Sequence, residues 1–478
     1  MAKKFYITTA IDYVNASPHV GHAFEKTLAD AISRWHRLKG EDVFFLTGVD
    51  ENAQKNVQAA EKAKIPVKEF IDKNSSLFLE LCKKLNISYD DFIRTSAKEH
   101  SVVVQKIVKK IIENNDIYQA EYKGYYCIGC EAYKTEKDLV NGKCPEHDKE
   151  PEFRKERAYF FKLSKYQKDL LKIIPKYVIP ESKKNEIIAR VKEGLDDLCI
   201  SREGALWGID FPDDKKFKIY VWVDALINYI SGLKDNEKKY WPADVHIIGK
   251  GINWFHSVIW PALLLSAGYK LPNKLLVHGY LISQCQKISK SLGNVIDPLE
   301  LLKKYNADTV RYSLLRCSVF DDSDFSEEIL IERHNNELAN KLGNLVSRVS
   351  GLCKENIPKG KTDDELEEKL KLKEIINHLD NFETDRALLE IFAFIDNCNQ
   401  YVAEKEPWKL KDQEKNDILY TLTDSIRIIS VLLSSFLPET CNKIDEQFNF
   451  PKPDIKSLKF NLTKEGKIKK SEILFKKI

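Results

Sequence analysis

The tightest constraint on this chain is the order of signals near its N-terminus. Residues 5–10, Phe-Tyr-Ile-Thr-Thr-Ala, read as a strand. A loop with Asn15 and Pro18 follows. The spacing then predicts a helix over about 20–38, with Leu28, Ile32 and Trp35 on one face and Gly40 as its stop. Residues 42–47 read as a second buried strand. Strand, loop, helix and strand at this spacing imply a parallel sheet.

The remaining texture divides the chain into parts. Residues 66–119 read as mostly helical. Between 118 and 220 aromatic, Gly, Cys and charged residues mix over short distances, which reads as an inserted domain. Sheet-like patterning returns at 245–249 and 275–282, so the insertion splits the parallel sheet. From Asp324 onward apolar residues recur at helical spacing, among them Leu338, Leu342, Leu345, Val349 and Leu352. A helical bundle is expected there, with 354–374 as a charged connector. The expected division is 1–117, 118–220, 221–325 and 326–478.

Composition narrows the function classes. With 76 basic and 73 acidic residues, the formal charge is +3, so any nucleic-acid surface must be local. No membrane span and no DNA-binding role are expected. Seven of the ten cysteines are scattered, which suits a reducing cytoplasm.

Four groups of residues carry chemistry. His19-Val20-Gly21-His22 sits where a strand leads into a helix. A helix N-terminus offers unpaired N–H groups and positive potential to phosphate. Gly21 leaves the backbone open, and the two imidazoles can donate to phosphate oxygens. Lys287-Ile288-Ser289-Lys290-Ser291 follows a strand-like run and makes a cationic loop suited to pyrophosphate. Cys127-x-x-Cys130 and Cys144-x-x-His147 are two knuckles with thirteen residues between them. Three thiolates and one imidazole match a closed tetrahedral zinc site; a disulfide is the alternative, disfavoured in a reducing compartment. One structural Zn²⁺ is expected. Asn344 and Arg348 are four apart on one helical face, and Trp408 follows Pro407. Amide, guanidinium and indole are groups that bond and stack on splayed bases.

The His-x-Gly-His and Lys-x-Ser-Lys-Ser strings, in this order, resemble the two signatures of class I aminoacyl-tRNA synthetases. The resemblance is closest to methionyl-tRNA synthetases of the bacterial type and runs along essentially the whole chain. Tyr6 to Asn15, Thr47-Gly-Val-Asp50-Glu, Tyr220 to Tyr229 and Phe255 to Pro261 carry it. It implies an α/β, Rossmann-like catalytic domain split by a zinc-binding insertion, then an all-α anticodon-binding bundle. It implies a methionine–tRNA ligase that forms methionyl-adenylate from methionine and ATP with Mg²⁺. Methionine then passes to the terminal ribose of tRNA(Met), initiator and elongator.

The same resemblance suggests roles. Asp50 would hold the α-ammonium of methionine, with the backbone of Ile11. Tyr13, Trp222, Ala225, Leu226, Tyr229, His256 and Trp260 would line the side-chain pocket, where a polarizable thioether packs well on aromatic rings. His19, Gly21, His22, Glu25, Gly249, Lys250, Lys290 and Ser291 would serve ATP. His19, His22, Lys287 and Lys290 would stabilise the reacting phosphates. Asn344, Arg348 and Trp408 would read the anticodon. One departure stands out: Gly251 occupies a position that is usually acidic in the family. A synthetase for another apolar amino acid would carry a larger editing insertion. A non-catalytic relative would have lost a signature, and a simple nucleotidyltransferase would need no helical bundle. A monomer is expected.

Overall fold

The computed structural model describes residues 2–478 except 129–131, 135–137, 146–147, 284–285, 288–295 and 470–472. Its frame is a seven-stranded sheet, parallel at every pairing. The strands are β1 (Lys4–Thr9), β2 (Asp12–Tyr13), β3 (Asp42–Asp50), β4 (Asp91–Arg94), β5 (Val178–Ile179), β6 (Val245–Gly249) and β7 (Lys274–His278). Their order is β2-β3-β1-β6-β7-β5, with β4 also paired to β3. Strands β1, β3, β6 and β7 are largely buried, as expected when helices cover both faces. Strand order proceeds one way from β1 to β3 and the other way from β6 to β7. The split between β1 and β6 is a topological switch point, where open α/β sheets leave a crevice at the carboxyl ends of their strands.

Two expectations change here. The segment 66–119 is not all helix: β4 lies between helices Val67–Lys84 and Lys98–Glu113. Nor is 118–220 wholly separate, because β5 pairs with β7 in the main sheet. The rest of that region includes a four-stranded antiparallel sheet of 132–134, 117–127, 152–161 and 198–199, in that order.

Helix α1 (Val20–Leu38) lies between sheet and bundle. Leu28, Ile32 and Trp35 are buried as expected. So are Glu25, Lys26 and Asp30, because the helix is covered on more than one side. Its N-terminus carries a reciprocal cap made of two imidazoles. The Gly21 N–H donates to His19 Nδ1 at 3.1 Å, and the His19 N–H donates to His22 Nδ1 at 3.1 Å.

The bundle comprises α2 (Asn344–Cys353), α3 (Thr384–Lys405), α4 (Asp412–Leu433) and α5 (Pro438–Phe448) among its main helices. A π-helical stretch, His334–Gly343, leads into α2 and keeps Leu338 and Leu342 in the core. Fully buried Arg311 ties this part to the catalytic one. It lies 2.7 Å from Asp30 and donates to the carbonyls of Leu85, Ser435 and Phe436.

Candidate active site

Several parallel strands deliver a residue at their carboxyl ends to one cavity of about 630 Å³. Ala10 and Ile11 follow β1, Asp50 ends β3, Gly249 ends β6 and His278 ends β7. The start of α1 adds His19, Gly21, His22 and Glu25. The segment after 220 adds Trp222, Ala225, Leu226 and Tyr229.

The two signature imidazoles stack, with ring centroids 3.7 Å apart. Each Nδ1 accepts from a backbone N–H, so each ring carries its proton on Nε2. Both rings are therefore donors on their outer edge, which suits phosphate oxygens. Gly21 has a local reason beyond ligand approach. A Cβ there would lie 2.9 Å from His19 Cε1, so the folded-back His19 ring requires glycine.

Beneath this turn is a charged pair that the sequence reading did not single out. Lys26 is fully buried and ion-paired to Asp12, which lines the cavity. The other Asp12 oxygen is 3.8 Å from His22 Nε2. Burial pushes the Asp12 carboxyl above its ordinary value, and the Lys26 charge offsets this only in part. Burial works against the Lys26 charge, but Asp12 more than compensates and its value rises.

On the opposite side, the Trp222 indole stacks on Phe255 at 3.7 Å, and Tyr13 meets it edge-on at 6.2 Å. The imidazole of His256 is buried, and burial pulls its value down to about 4. Its Nδ1 is 3.0 Å from the Ile252 carbonyl, an acceptor, so the proton is on Nδ1. The Tyr229 hydroxyl therefore donates to His256 Nε2 at 2.7 Å. Asp50 accepts from the Asn52 N–H at 3.0 Å. The Asn52 amide in turn bonds Asp224 at 2.8 Å, and Asp224 meets His100 at 2.6 Å. This buried network fixes the strand end that presents Asp50.

Two expected residues stand elsewhere. Trp260 is buried behind the wall, its indole N–H directed at His246 Nε2 at 3.3 Å, and its ring packs near Tyr229. It fills core rather than lining the cavity, because the helix that carries it turns its indole inward. Lys250 is also absent from the lining: its ammonium is held by Asp322 at 2.6 and 2.8 Å. The sequence reading missed Asp12, Asn15, Asn228, His278 and Tyr280 as lining residues. His278 was findable, since it closes a parallel strand beside the switch point.

Other expected sites are described in part. Cys130, His147, Lys290 and Ser291 lie outside the described residues. Lys287 is placed by its backbone in a short pairing of 286–287 with Ile282 and Ser283. Cys127 and Cys144 are both buried. Cys144 opens a tight loop closed by its N–H to the Lys149 carbonyl at 2.9 Å and by the Asp148 N–H to its own carbonyl at 2.8 Å. In the bundle, the Arg348 guanidinium lies 5.1 Å over the Trp408 ring, which is 46% exposed. Asn344 projects from the same face of α2 and donates to Asn399 at 3.3 Å.

Known families account for this arrangement. Residues 5–150 and 137–350 match the family described as tRNA synthetases class I (M), and 355–478 match the anticodon binding domain of methionyl tRNA ligase. The parallel sheet, its His-x-Gly-His turn and the helical bundle are thus those of a class I aminoacyl-tRNA synthetase. Among curated relatives, the methionine–tRNA ligase of Caldanaerobacter subterraneus subsp. tengcongensis is 44% identical over 507 residues, covering 100% of this chain and 79% of its own. That of Rickettsia prowazekii is 40% identical, covering 95% of this chain and 94% of its own. The solved structure of Mycobacterium tuberculosis methionyl-tRNA synthetase with methionyl-adenylate superposes with a TM-score of 0.94 at 35% identity, over 99% of both chains. The chain belongs to the methionyl-tRNA synthetase family.

Proposed function

We infer that this chain activates methionine with ATP, as its magnesium complex, and transfers the methionyl group to the terminal ribose of tRNA(Met). The observation that carries the assignment of residues is the shared cavity. It joins a phosphate-directed pair of imidazoles, a strand-end carboxylate and an aromatic pocket.

In the proposed mechanism Asp50 holds the ammonium of methionine. Tyr13, Trp222, Ala225, Leu226 and His256 enclose the thioether. Tyr229 positions His256, and Trp260 supports the pocket from behind. The methionine carboxylate attacks the α-phosphorus, and the bond to pyrophosphate breaks. An ionised carboxylate needs no general base. Catalysis is positioning plus electrostatic stabilisation: His19 and His22 donate their Nε2 protons to phosphate oxygens, and Lys287 and Lys290 accompany the departing pyrophosphate.

Two buried thiols in an exposed, polar loop region fit a thiophilic ion. Cys127, Cys130, Cys144 and His147 would hold one structural zinc, which fixes the loops without entering the reaction. Arg348, Trp408 and Asn344 would bind anticodon bases by stacking and hydrogen bonds. A division into catalytic, inserted and bundle parts, a monomeric state and a cytoplasmic location belong to the same reading.

The test is amino-acid-dependent exchange of pyrophosphate into ATP, without tRNA, over all twenty amino acids. Methionine alone is expected to support exchange. Exchange with a different amino acid overturns the pocket assignment.

A further inference from the structure

The charge of the chain is unevenly placed. Residues 451–478 hold nine lysines and three acidic residues, a net +6 in a chain whose formal charge is +3, so residues 1–450 are net −3. A basic segment on an otherwise slightly acidic body is an electrostatic footprint for a polyanion. All eight of its described lysines are exposed. Among the described residues, none of their ammoniums takes part in an ion pair. Lys341, Lys371 and Lys405 of the bundle differ in this respect, since they pair with Asp396, Glu390 and Glu365.

The backbone of this segment is fixed at two places to the helical stretch that carries Asn344 and Arg348. Residues 466–467 pair antiparallel with 356–357, just past α2, and the Ile468 N–H donates to the Glu355 carbonyl at 2.8 Å. Further on, His334 Nε2 donates to the Lys476 carbonyl at 2.8 Å, and Asn335 and Ile478 exchange two hydrogen bonds of 2.8 and 3.0 Å. The Phe475 ring is buried and meets His334 edge-on at 5.6 Å. A Cβ on Gly343, the residue before Asn344, would already touch that ring at 3.8 Å. The two attachments lie at opposite ends of His334–Cys353, a stretch of about 30 Å. Lys467 and Lys469 stand near its carboxyl end, Lys476 and Lys477 near its amino end, and Asn344 and Arg348 lie between.

Contacts to phosphate set the register and orientation of a nucleic acid, and contacts to bases specify it. An amide, a guanidinium and an indole between two pairs of ammoniums match this division: bases meet the middle, and phosphates meet the flanks. A lysine ammonium is a point charge that serves a phosphate without demanding one fixed geometry. An acidic peptide would neutralise the same lysines but would leave the exposed Trp408 ring and its Arg348 partner unused. We propose that Lys467, Lys469, Lys476 and Lys477 form a phosphate rail for the tRNA backbone on either side of the anticodon. The rail holds the RNA on the bundle without reading its sequence. It rests on the reading that Asn344, Arg348 and Trp408 meet anticodon bases.

The test is equilibrium binding of two tRNA transcripts, one with the CAU anticodon and one with an altered anticodon, as a function of KCl concentration. The full native chain is compared with a variant carrying Lys467→Gln, Lys469→Gln, Lys476→Gln and Lys477→Gln. The slope of log K against log salt is expected to fall in magnitude by about 2–4. At low salt the variant should bind both RNAs more weakly by the same factor, about tenfold or more, and keep the native preference for CAU. Its methionine-dependent pyrophosphate exchange without tRNA should equal that of the native chain. Arginine at the same four positions should restore the native slope. Trp408→Ala should do the opposite of the glutamine variant, keeping the slope and losing CAU preference. A glutamine variant with the native slope, or a loss of binding confined to the CAU transcript, overturns the proposal. A native chain with no preference for CAU defeats the anticodon reading instead, while the slope comparison still judges the lysines.

Discussion

Two buried ion pairs on α1, one helical turn apart, behave oppositely. At the cavity floor, Lys26 meets Asp12, and the Asp12 carboxyl is pushed up. At the bundle junction, Arg311 meets Asp30, and the Asp30 carboxyl is held down. Burial disfavours both carboxylates. Asp30 has more compensation: two guanidiniums, plus the backbone N–H and hydroxyl of Ser88 at 2.7 and 2.6 Å. Asp12 is ion-paired to a single ammonium, and among the described residues its other oxygen has only the more distant His22 Nε2, at 3.8 Å, beside the cavity. The number of donors, not burial, decides whether a buried carboxylate stays comfortably ionised. The junction is built for permanence, and the floor is left electrostatically unfinished beside the reacting groups.

The comparison breaks most visibly at Arg311. Arg311→Met removes one ion-pair partner of Asp30 and leaves three carbonyls without their donor. A loss of about 3–5 kcal/mol is expected, read from denaturation in urea. Lys26→Met should cost less, because Asp12 can take up a proton. The sign follows from linkage. A raised carboxyl value favours the folded state at low pH, and that contribution is lost as pH rises through the folded value. Without the ammonium the Asp12 carboxyl is pushed further up, so the Lys26→Met deficit should shrink as pH falls toward the ordinary carboxylate range. Asp30 has a lowered value, so its contribution is present above the ordinary carboxylate range and is lost only as pH falls through the folded value. Its junction should show no relief over the same interval. A Lys26→Met deficit that is constant with pH would erase the distinction between the pairs.

Smaller effects come from groups outside both pairs. Trp408→Ala should change stability by less than about 0.5 kcal/mol, since the ring is half exposed. It should weaken tRNA-dependent charging by about 1–3 kcal/mol while pyrophosphate exchange stays intact. Equal loss of both activities would assign Trp408 to folding instead. The least perturbing test is NMR titration of His256. With its value near 4 from burial, the ring should keep neutral shifts from pH 8 down to pH 5. A transition inside that interval would contradict the lowering of the His256 value by burial.

The parts legible in the sequence were those with local signals. The strand before His19, the helix over 20–38 and the bundle leucines follow from periodicity alone. β4 was hidden by its four-residue length between two long helices. β5 has two residues and exists only because β7 pairs with it. Within the cavity, the aromatic wall was legible through family resemblance, whereas Asp12 and Lys26 were not. They are fourteen positions apart, and a lysine beside Glu25 reads as a solvated helix face. Its burial is decided by the sheet that covers it. Arg311 was hidden for the same reason, since its partners come from residues 30, 85, 435 and 436.

α1 also sets a measure for the molecule. Its 19 residues span about 28 Å at 1.5 Å per residue. His19 and His22 are fixed at one end, Asp30 is fixed midway by Arg311, and the Trp35 indole donates to Asp380 at 2.9 Å near the other. Adding one residue would rotate everything beyond it by about 100°. No small loop adjustment could then restore all three attachments. The helix therefore works as a ruler with marked divisions, and its length cannot drift as that of a surface hairpin can.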